Sequence, residues 1–424
     1  MIYLIACLLF TLSQFYRSSI AVISPNLVHD LNLDTEDLGL VSAAFFYAFG
    51  VMQVPVGLYL DSVGPRIFMT ALSLAAVAGA VVFAWGESAA ALVAGRVLLG
   101  MGMACNLMGP LKLITSWFSP RYFATLSAVF FSVGTAGNIF AATPLVWLAT
   151  SIGWRATFLL VAGCNLAISV VFFIIARDGP KDLSPARRSV RVPLVSFPEA
   201  LGGLWQLFTR RDYWLISLGT FFRYGVYASV QALWAGPFLM LTMGLSQFSA
   251  GNILLAMSIG LIVGSPVCGW LSDSVLHSRK CVVIIGLAVM GAALITLARL
   301  PTHAGLWILY LLFIGFGFFS GAGQIMYAHI KERMPIEKAG MAMTGINFFT
   351  MTGVAFFLHG LGWAIQKIHR GEILAPEAFR MAFVLFGGCL AAAVLLYSFT
   401  VDARGGRVLK QNLDGAALGR DAEP

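Results

Sequence analysis

The stretch that decides the fold is GLYLDSVGPR, at residues 57–66, because a shorter copy of it, GWLSD, occurs at residues 269–273. The two copies lie 212 residues apart, which is half of the 424-residue chain. The same spacing carries Pro25 onto Pro237, and each proline stands near the end of an apolar stretch. A repeat of this length predicts that the chain is built from two similar units, one in each half.

The composition excludes an ordinary water-soluble protein. Hydrophobic residues make up 59% of the chain and charged residues only 11%, whereas soluble domains contain about 25% charged residues. A globule of this length still needs a polar surface, so the apolar excess is predicted to face lipid. The net charge of +8 comes from Lys and Arg in short segments between apolar stretches, which indicates membrane topology rather than nucleic-acid binding.

Twelve apolar stretches are long enough to cross a bilayer as helices, which takes about 20 residues. They occupy residues 3–28, 38–60, 67–86, 91–116, 123–149, 154–176, 213–241, 248–272, 281–299, 304–330, 338–366 and 377–400. The pattern predicts an all-α membrane protein with two pseudo-symmetric six-helix halves. The predicted domains are an N-terminal bundle at 1–176, a cytoplasmic linker at 177–212, a C-terminal bundle at 213–400 and a disordered cytoplasmic tail at 401–424.

Basic residues are unevenly distributed between the two ends of the predicted spans. The linker and the connections after spans two, four, eight and ten carry Lys or Arg, whereas the connections after spans one, three and seven carry none. Short connections rich in Lys and Arg remain in the cytoplasm. Both termini are therefore predicted to be cytoplasmic, in a multi-pass protein of the inner (cytoplasmic) membrane.

The repeated stretch resembles the signature loop of the major facilitator superfamily, and the chain resembles that family over its full length. Residues 95–102, GRVLLGMG, are similar to the family's Arg-x-x-x-Gly-x-Gly pattern. The resemblance implies the family's twelve-helix fold and a loop aspartate that caps a helix N-terminus, in agreement with helix-dipole physics. The residues for which it implies a conformational or gating role are Gly57, Asp61, Gly64, Arg66, Arg96, Gly269 and Asp273.

The most informative single residue is Arg17, about fourteen residues into the first predicted span and roughly 20 Å along its axis. An ionisable group at that depth needs a partner, a watery cavity or a function, and no Asp or Glu lies in the middle of any predicted span. Gln14 and Ser18 share its helical face. Because arginine offers planar, bidentate donors to carboxylate or phosphate, Arg17 is predicted to bind an anion. The alternative is a structural arginine bonded to backbone carbonyls.

Polar residues elsewhere are predicted to complete this substrate-binding site. Arg223 lies in span seven, with Tyr227 and Gln231 on the same helical face. The alternative for Arg223 is that it reaches the cytoplasmic interface. Asn138 and Asn347 lie inside other spans, where an amide either bonds between helices or lines the pathway.

A second resemblance concerns the substrate. The segment from Tyr16 to Pro25 is similar to span one of organophosphate/phosphate exchangers, in which arginines from spans one and seven hold the phosphate. Arg17 matches that pattern, and Arg223 matches it locally. The segment from Lys112 to Phe118 also resembles anion/cation symporters of sugar acids. Both resemblances imply an anionic substrate.

The leading hypothesis is secondary active transport of a small organic anion, a carboxylate or an organophosphate, by alternating access, with protons or a counter-anion as coupling partners. The alternatives are an exporter of a drug, lipid, siderophore or metal (iron) complex and a non-transporting membrane sensor. Phosphate-loop and hydrolase motifs are absent from the sequence, and the six cysteines form no metal-ligand pattern. We therefore predict no enzyme activity, cofactor, metal or nucleic-acid partner, and a monomer in the lipid bilayer.

Overall fold

The computed structural model describes residues 1–118, 123–179, 207–302, 304–334, 339–368 and 376–402. These residues form a helical bundle of two halves, one before and one after the predicted linker. Residues 180–206 of that linker and residues 403–424 of the predicted tail lie outside the described part of the chain.

The described residues of the N-terminal half form nine α-helices. They are α1 (Ile2–Ser18), α2 (Ile20–Leu31), α3 (Thr35–Val63), α4 (Pro65–Trp85), α5 (Ala89–Met103), α6 (Met108–Trp117), α7 (Phe123–Phe140), α8 (Thr143–Ile152) and α9 (Trp154–Ile175) among the described residues. Three predicted spans are each divided between two of these helices: α1 and α2, α5 and α6, and α7 and α8.

The C-terminal half contains both α-helices and π-helical turns. The α-helices in its described ranges are α10 (Arg211–Ser229), α11 (Ala235–Pro237), α12 (Gln247–Trp270), α13 (Arg279–Arg299), α14 (Leu306–Ser320), α15 (Gly323–Arg333), α16 (Ala339–Ile368) and α17 (Pro376–Ser398). The π-helical turns are Val230–Trp234, Phe238–Thr242 and Leu271–Val275.

Every predicted span corresponds to helix in the structure. Within the described ranges, nine helices are long and apolar enough to cross a bilayer, and two bent pairs raise the number to 11. The remaining predicted span, 213–241, is an uninterrupted helical segment in which α10 and α11 alternate with π-helical turns. The prediction of an all-α membrane protein is confirmed.

The first span bends by 49° at Ser19, between α1 and α2. Pro25 has no N–H group for the carbonyl of Ala21, and the hydroxyl of Ser24 donates to that carbonyl instead, over 3.0 Å. The bend also frees the carbonyl of Tyr16, near the end of α1, for donors from other helices. The functional site lies beside this bend.

Among the described glycines, those that approach the other half most closely lie at the end of the bundle that holds Asp30, here called the Asp30 end. A Cβ atom on Gly236 of α11 would lie 1.9 Å from the carbonyl oxygen of Ala21 on α2. A Cβ atom on Gly39 of α3 would lie 2.8 Å from the carbonyl oxygen of Leu358 on α16. Only residues without a side chain allow backbones this close, so glycines bring the halves together here.

Hydrogen bonds between the halves strengthen the same closure. The hydroxyl of Thr143 donates to Asn252 Oδ1 over 2.6 Å, and Gln247 Nε2 donates to the carbonyl of Val22 over 2.6 Å. The protein is therefore closed at the Asp30 end. The opposite end holds Arg66 and is here called the Arg66 end.

Candidate functional site

Arg17 occupies the last turn of α1, directly before the bend at Ser19. Its side chain is only 7% exposed, and it lines a cavity between the two halves. The residues that line this cavity are Gln14, Arg17, Ser18, Phe46, Asn138, Tyr224, Ala228, Gln231 and Ala232. The cavity therefore brings together five of the eight substrate-binding residues predicted from the sequence.

The described residues give Arg17 aromatic and hydroxyl neighbours rather than an acidic partner. Among the described residues, no carboxylate forms an ion pair with it, and its Nε atom is buried without a hydrogen-bond partner. Its guanidinium carbon lies 4.3 Å from the centre of the Phe49 ring. The hydroxyls of Tyr224 and Tyr327 are its polar neighbours. A buried guanidinium in such surroundings favours an anion as its partner.

Three of the polar side chains that line the cavity are engaged in hydrogen bonds with other side chains of the protein. The hydroxyl of Ser18 donates to Asn138 Oδ1 over 2.8 Å, and Gln231 Nε2 donates to Ser258 Oγ over 3.1 Å. The cavity volume is about 10 Å³, close to the ~10–15 Å³ that one water molecule requires. A substrate larger than water can therefore enter only when the halves move apart and these groups exchange partners.

Arg223 does not line the cavity in this structure. Its Nη1 atom donates to the carbonyl of Ser320 over 2.6 Å, at the point where α14 ends. A Cβ atom on Gly323 would lie 1.8 Å from the guanidinium carbon of Arg223, so the guanidinium lies directly against the start of α15. Tyr227, one turn further along α10, stacks on Phe316 with 5.8 Å between ring centres.

Asn347 joins the two halves outside the cavity. Its Nδ2 atom donates to Oε1 of Gln53, on α3, over 3.1 Å. The hydroxyl of Tyr327 donates to Asn347 Oδ1 over 3.3 Å, which connects this bond to the surroundings of Arg17. The roles of Gln53 and Tyr327 were not predicted from the sequence. Both are polar side chains within apolar spans, and this pattern could have identified them as candidates.

Arg96 holds the bend of the first span. It is completely buried on α5, and its Nη1 atom donates to the carbonyl of Tyr16 over 2.6 Å. It also donates to the carbonyls of Val41, over 3.3 Å, and Ser42, over 3.4 Å. Arg96 and Arg223 thus both satisfy carbonyls near the end of a broken helix, whereas the guanidinium of Arg17 faces the cavity.

We expect Arg96→Met to destabilise the fold by about 2 kcal/mol, because hydrogen bonds between membrane helices contribute about 0.6 kcal/mol each and three carbonyls lose their donor. Thermal unfolding in detergent measures the effect. The control is Arg299→Met, since Arg299 is exposed at the end of α13. An unchanged melting temperature combined with loss of anion binding would instead place Arg96 in the substrate site.

The two signature loops lie at the Arg66 end. Gly64 has a φ angle of 88°, and the carboxylate of Asp178 accepts the backbone N–H of Arg66 over 2.7 Å at the start of α4. The guanidinium of Arg66 donates to the carbonyl of Phe173 over 2.8 Å. A carboxylate at a helix N-terminus is electrostatically favourable. The side chain of Asp61, predicted to act in gating, lies outside the described atoms.

The second copy of the loop forms an ion cluster. Arg279 pairs with Asp273 over 2.6 Å and with Glu332, at the end of α15, over 3.0 Å. Asp402 accepts the backbone N–H of Arg279 over 3.2 Å. An aspartate that follows the last helix of each half therefore caps a helix start, as Asp178 does in the first half. Gly57 and Gly269, the first residues of the two loop copies, have open space beside them, since a Cβ atom on either would meet no atom within 4 Å.

Comparison with known proteins identifies the family. The profile of the Major Facilitator Superfamily matches residues 6–365 and 216–416. Over 92% of this chain and 91% of its own length, the uncharacterized transporter YybO of Bacillus subtilis is 24% identical. The probable galactarate/D-glucarate transporter GudP of the same organism is 25% identical over 93% and 90% of the two chains. The hexuronate transporter of Escherichia coli is 27% identical over 66% and 68%.

Solved structures share the fold. An inward-facing, unoccupied bacterial homologue of the human lysosomal transporter Spinster has a TM-score of 0.73 and 18% identity, over 93% of this chain and 95% of that one. A D-xylose-proton symporter has a TM-score of 0.73 and 16% identity, over 95% and 98%. The fold predicted from the repeated loop is confirmed: this chain belongs to the Major Facilitator Superfamily.

Proposed function

We propose that this protein moves a small organic anion across the membrane by alternating access, with Arg17 as the main anion-binding group. The observation that carries the proposal is a buried guanidinium that lines the cavity between the halves and has no carboxylate partner among the described residues. A bound carboxylate or phosphate would neutralise this charge through paired hydrogen bonds. Binding energy then favours the conformation that encloses the anion.

The named relatives support an organic acid as substrate. GudP is named as a probable transporter of galactarate and D-glucarate, and the Escherichia coli relative as a transporter of hexuronate. Both substrate groups combine carboxylate with several hydroxyl groups. None of the relatives described above is named as an exporter of drugs, lipids, siderophores or metal complexes. The exporter and sensor alternatives therefore receive no support from these relatives.

The neutral polar side chains of the cavity suit the hydroxyl groups of such a substrate. Gln14, Ser18, Asn138 and Gln231 supply amide and hydroxyl groups that both donate and accept hydrogen bonds. When the halves separate, the bonds from Ser18 to Asn138 and from Gln231 to Ser258 can be exchanged for bonds to substrate. In this proposal Arg223, Tyr227 and Asn347 act from the second half, by shaping the helices around the cavity or by reaching the substrate after opening.

The charge of the cavity is relevant to whether substrate movement is coupled to a proton or to a second anion. Neither carboxylate nor histidine is among the described residues that line it, so this described wall offers no side chain that would pick up a proton near neutral pH. Movement of the empty cavity leaves the positive charge of Arg17 uncompensated, whereas movement with bound anion does not. We therefore propose that the protein exchanges one organic anion for another.

The membrane orientation completes the proposal. The Arg66 end, which carries the basic connections after spans two, eight and ten, faces the cytoplasm. Both termini then lie in the cytoplasm, and the closed Asp30 end faces the outside. The two halves, residues 1–176 and 213–400, rock about the cavity as units. The proposed functional form is a monomer in the inner membrane.

Uptake into proteoliposomes tests this function. We expect labelled galactarate to enter vesicles preloaded with unlabelled galactarate many-fold faster than empty vesicles, because the loaded cavity crosses the membrane without a net buried charge. Neutral galactitol, used as the matched control on both sides, should enter no faster than into protein-free vesicles. Equal transport of galactitol would refute the anion assignment. Proton-driven uptake into empty vesicles would refute exchange but leave the anion assignment intact.

A further inference from the structure

A second cavity lies at the Arg66 end of the C-terminal half, where α10 begins and α15 ends. It has a volume of about 240 Å³ and is lined by Arg210, Arg211, Asp212, Arg333 and Met334. We propose that this cavity binds the phosphate headgroup of an anionic phospholipid. The site is separate from the cavity at Arg17, and the proposal does not depend on the transported substrate.

The side chains around the cavity leave a net positive charge. Arg333 Nε donates to Asp212 Oδ2 over 2.8 Å, and a second nitrogen of the same guanidinium contacts the same oxygen. The one carboxylate among the described lining residues is therefore already paired, while Arg210 and Arg211 remain exposed at the rim. The described lining residues contribute three guanidinium groups and one carboxylate, a net charge of +2, which favours a phosphate.

The backbone adds to this charge. Arg210 is the N-cap of α10, and its side chain makes no capping hydrogen bond. The first N–H groups of a long helix carry a partial positive charge and donate readily to phosphate oxygens. The N-terminus of α10 opens beside the arginines, so backbone and side-chain donors converge on the same space.

The surroundings favour a lipid over a soluble phosphate. The guanidinium carbon of Arg211 lies 5.9 Å from the centre of the Phe399 ring, and Phe399, which directly follows α17, is 54% exposed. Trp214, one turn into α10, is 39% exposed and donates from Nε1 to the carbonyl of Phe208 over 2.7 Å. Exposed aromatic residues of this kind mark the membrane interface, where acyl chains of a bound lipid have an apolar surface to follow. Basic pockets at such positions bind acidic headgroups.

A headgroup in this cavity would connect two helices that matter for transport. It would bridge the start of α10 and the end of α15; further along these two helices lie Tyr224, on α10, and Tyr327, on α15. Both tyrosines are polar neighbours of Arg17. The lipid would thus brace the helices of the second half that face the substrate cavity.

Native mass spectrometry of the full-length protein with phosphatidylglycerol and phosphatidylcholine tests the proposal. We expect the protein to retain phosphatidylglycerol in preference to phosphatidylcholine. Replacing both rim arginines, with Arg210→Gln and Arg211→Gln, should weaken phosphatidylglycerol binding about 30-fold, or about 2 kcal/mol at 1.4 kcal/mol per tenfold change. The control carries Arg177→Gln and Lys280→Gln, which remove two basic residues from the same end of the bundle, and it should bind as the wild type does.

Two outcomes would overturn the proposal. An equal loss in the rim variant and in the control would mean that the lipid responds only to the general charge of this end. A thermal stabilisation by inorganic phosphate that matches the effect of phosphatidylglycerol, and that the rim variant abolishes, would mean that the site takes free phosphate rather than lipid. Melting temperatures without added ligand establish that both variants fold.

Discussion

Gly236→Val is expected to hold the protein open at the Asp30 end and to reduce exchange by at least about fivefold. The Cβ atom would lie 1.9 Å from the carbonyl oxygen of Ala21 in the closed structure, so α11 and α2 must move apart. Overpacking of this kind costs about 1–3 kcal/mol, which shifts the balance between closed and open forms by about 5- to 150-fold. Because separation of the halves relieves the clash, the variant should still fold.

The distance between the halves at the Asp30 end gives the direct measurement. Spin labels at Glu87→Cys and Thr302→Cys, both exposed in loops of the two halves at this end, report it by pulsed electron spin resonance. The exposed native cysteines, Cys164 and Cys281, are first replaced by serine. We expect a longer distance in the Gly236→Val protein than in the parent protein.

Gly163→Val is the matched control for this experiment. Gly163 lies in α9, and a Cβ atom there would meet nothing within 4 Å. It should leave both the label distance and the exchange rate unchanged. If Gly236→Val also left them unchanged, the contact of α11 with α2 would have no part in closing the protein.

Arg17→Ala is expected to abolish exchange and to weaken binding of the organic anion at least 30-fold. Removing one partner of a buried, hydrogen-bonded charge pair costs about 2–5 kcal/mol, and 1.4 kcal/mol corresponds to a tenfold change in the dissociation constant. Arg17→Lys keeps the charge but loses the planar pair of donors, so we expect an intermediate loss, about tenfold. Calorimetric titration with galactarate and reconstituted exchange measure the two effects.

The control for the Arg17 variants is Arg299→Ala, which removes an exposed arginine far along the chain at the end of α13. It should bind galactarate as the wild type does. Unfolding should also be no easier in Arg17→Ala, because the guanidinium has no carboxylate partner to lose among the described residues. Retained galactarate affinity in Arg17→Ala would remove the basis of the proposed function.

The fold could be predicted from the sequence because the thickness of the bilayer sets the length of each apolar span. A span needs about 20 apolar residues, and the copies of the loop at residues 57–66 and 269–273 relate the two halves. The central position of Arg17 followed from the same reasoning, since its depth within the first span is a matter of counting residues. Gln14 and Ser18 followed from helical spacing.

The contacts of the other arginines could not be predicted in this way. Arg223 bonds to the carbonyl of Ser320 because the tenth span breaks between α14 and α15, and hydropathy does not reveal where an apolar helix breaks. Arg96 likewise depends on the bend at Ser19, which frees the carbonyl of Tyr16. Hydrogen bonds between the halves, such as that between Gln53 and Asn347, depend on how the helices of the two halves are aligned in the folded protein.

The central claim is tested most directly by an experimental structure of the protein with bound galactarate. We predict that a carboxylate of the ligand lies between the halves, with its oxygens about 2.7–2.9 Å from the guanidinium nitrogens of Arg17, and that the bond from Ser18 to Asn138 has been exchanged for bonds to the ligand. A ligand carboxylate elsewhere in the protein, with Arg17 paired to an acidic side chain or turned out of the cavity, would contradict the account.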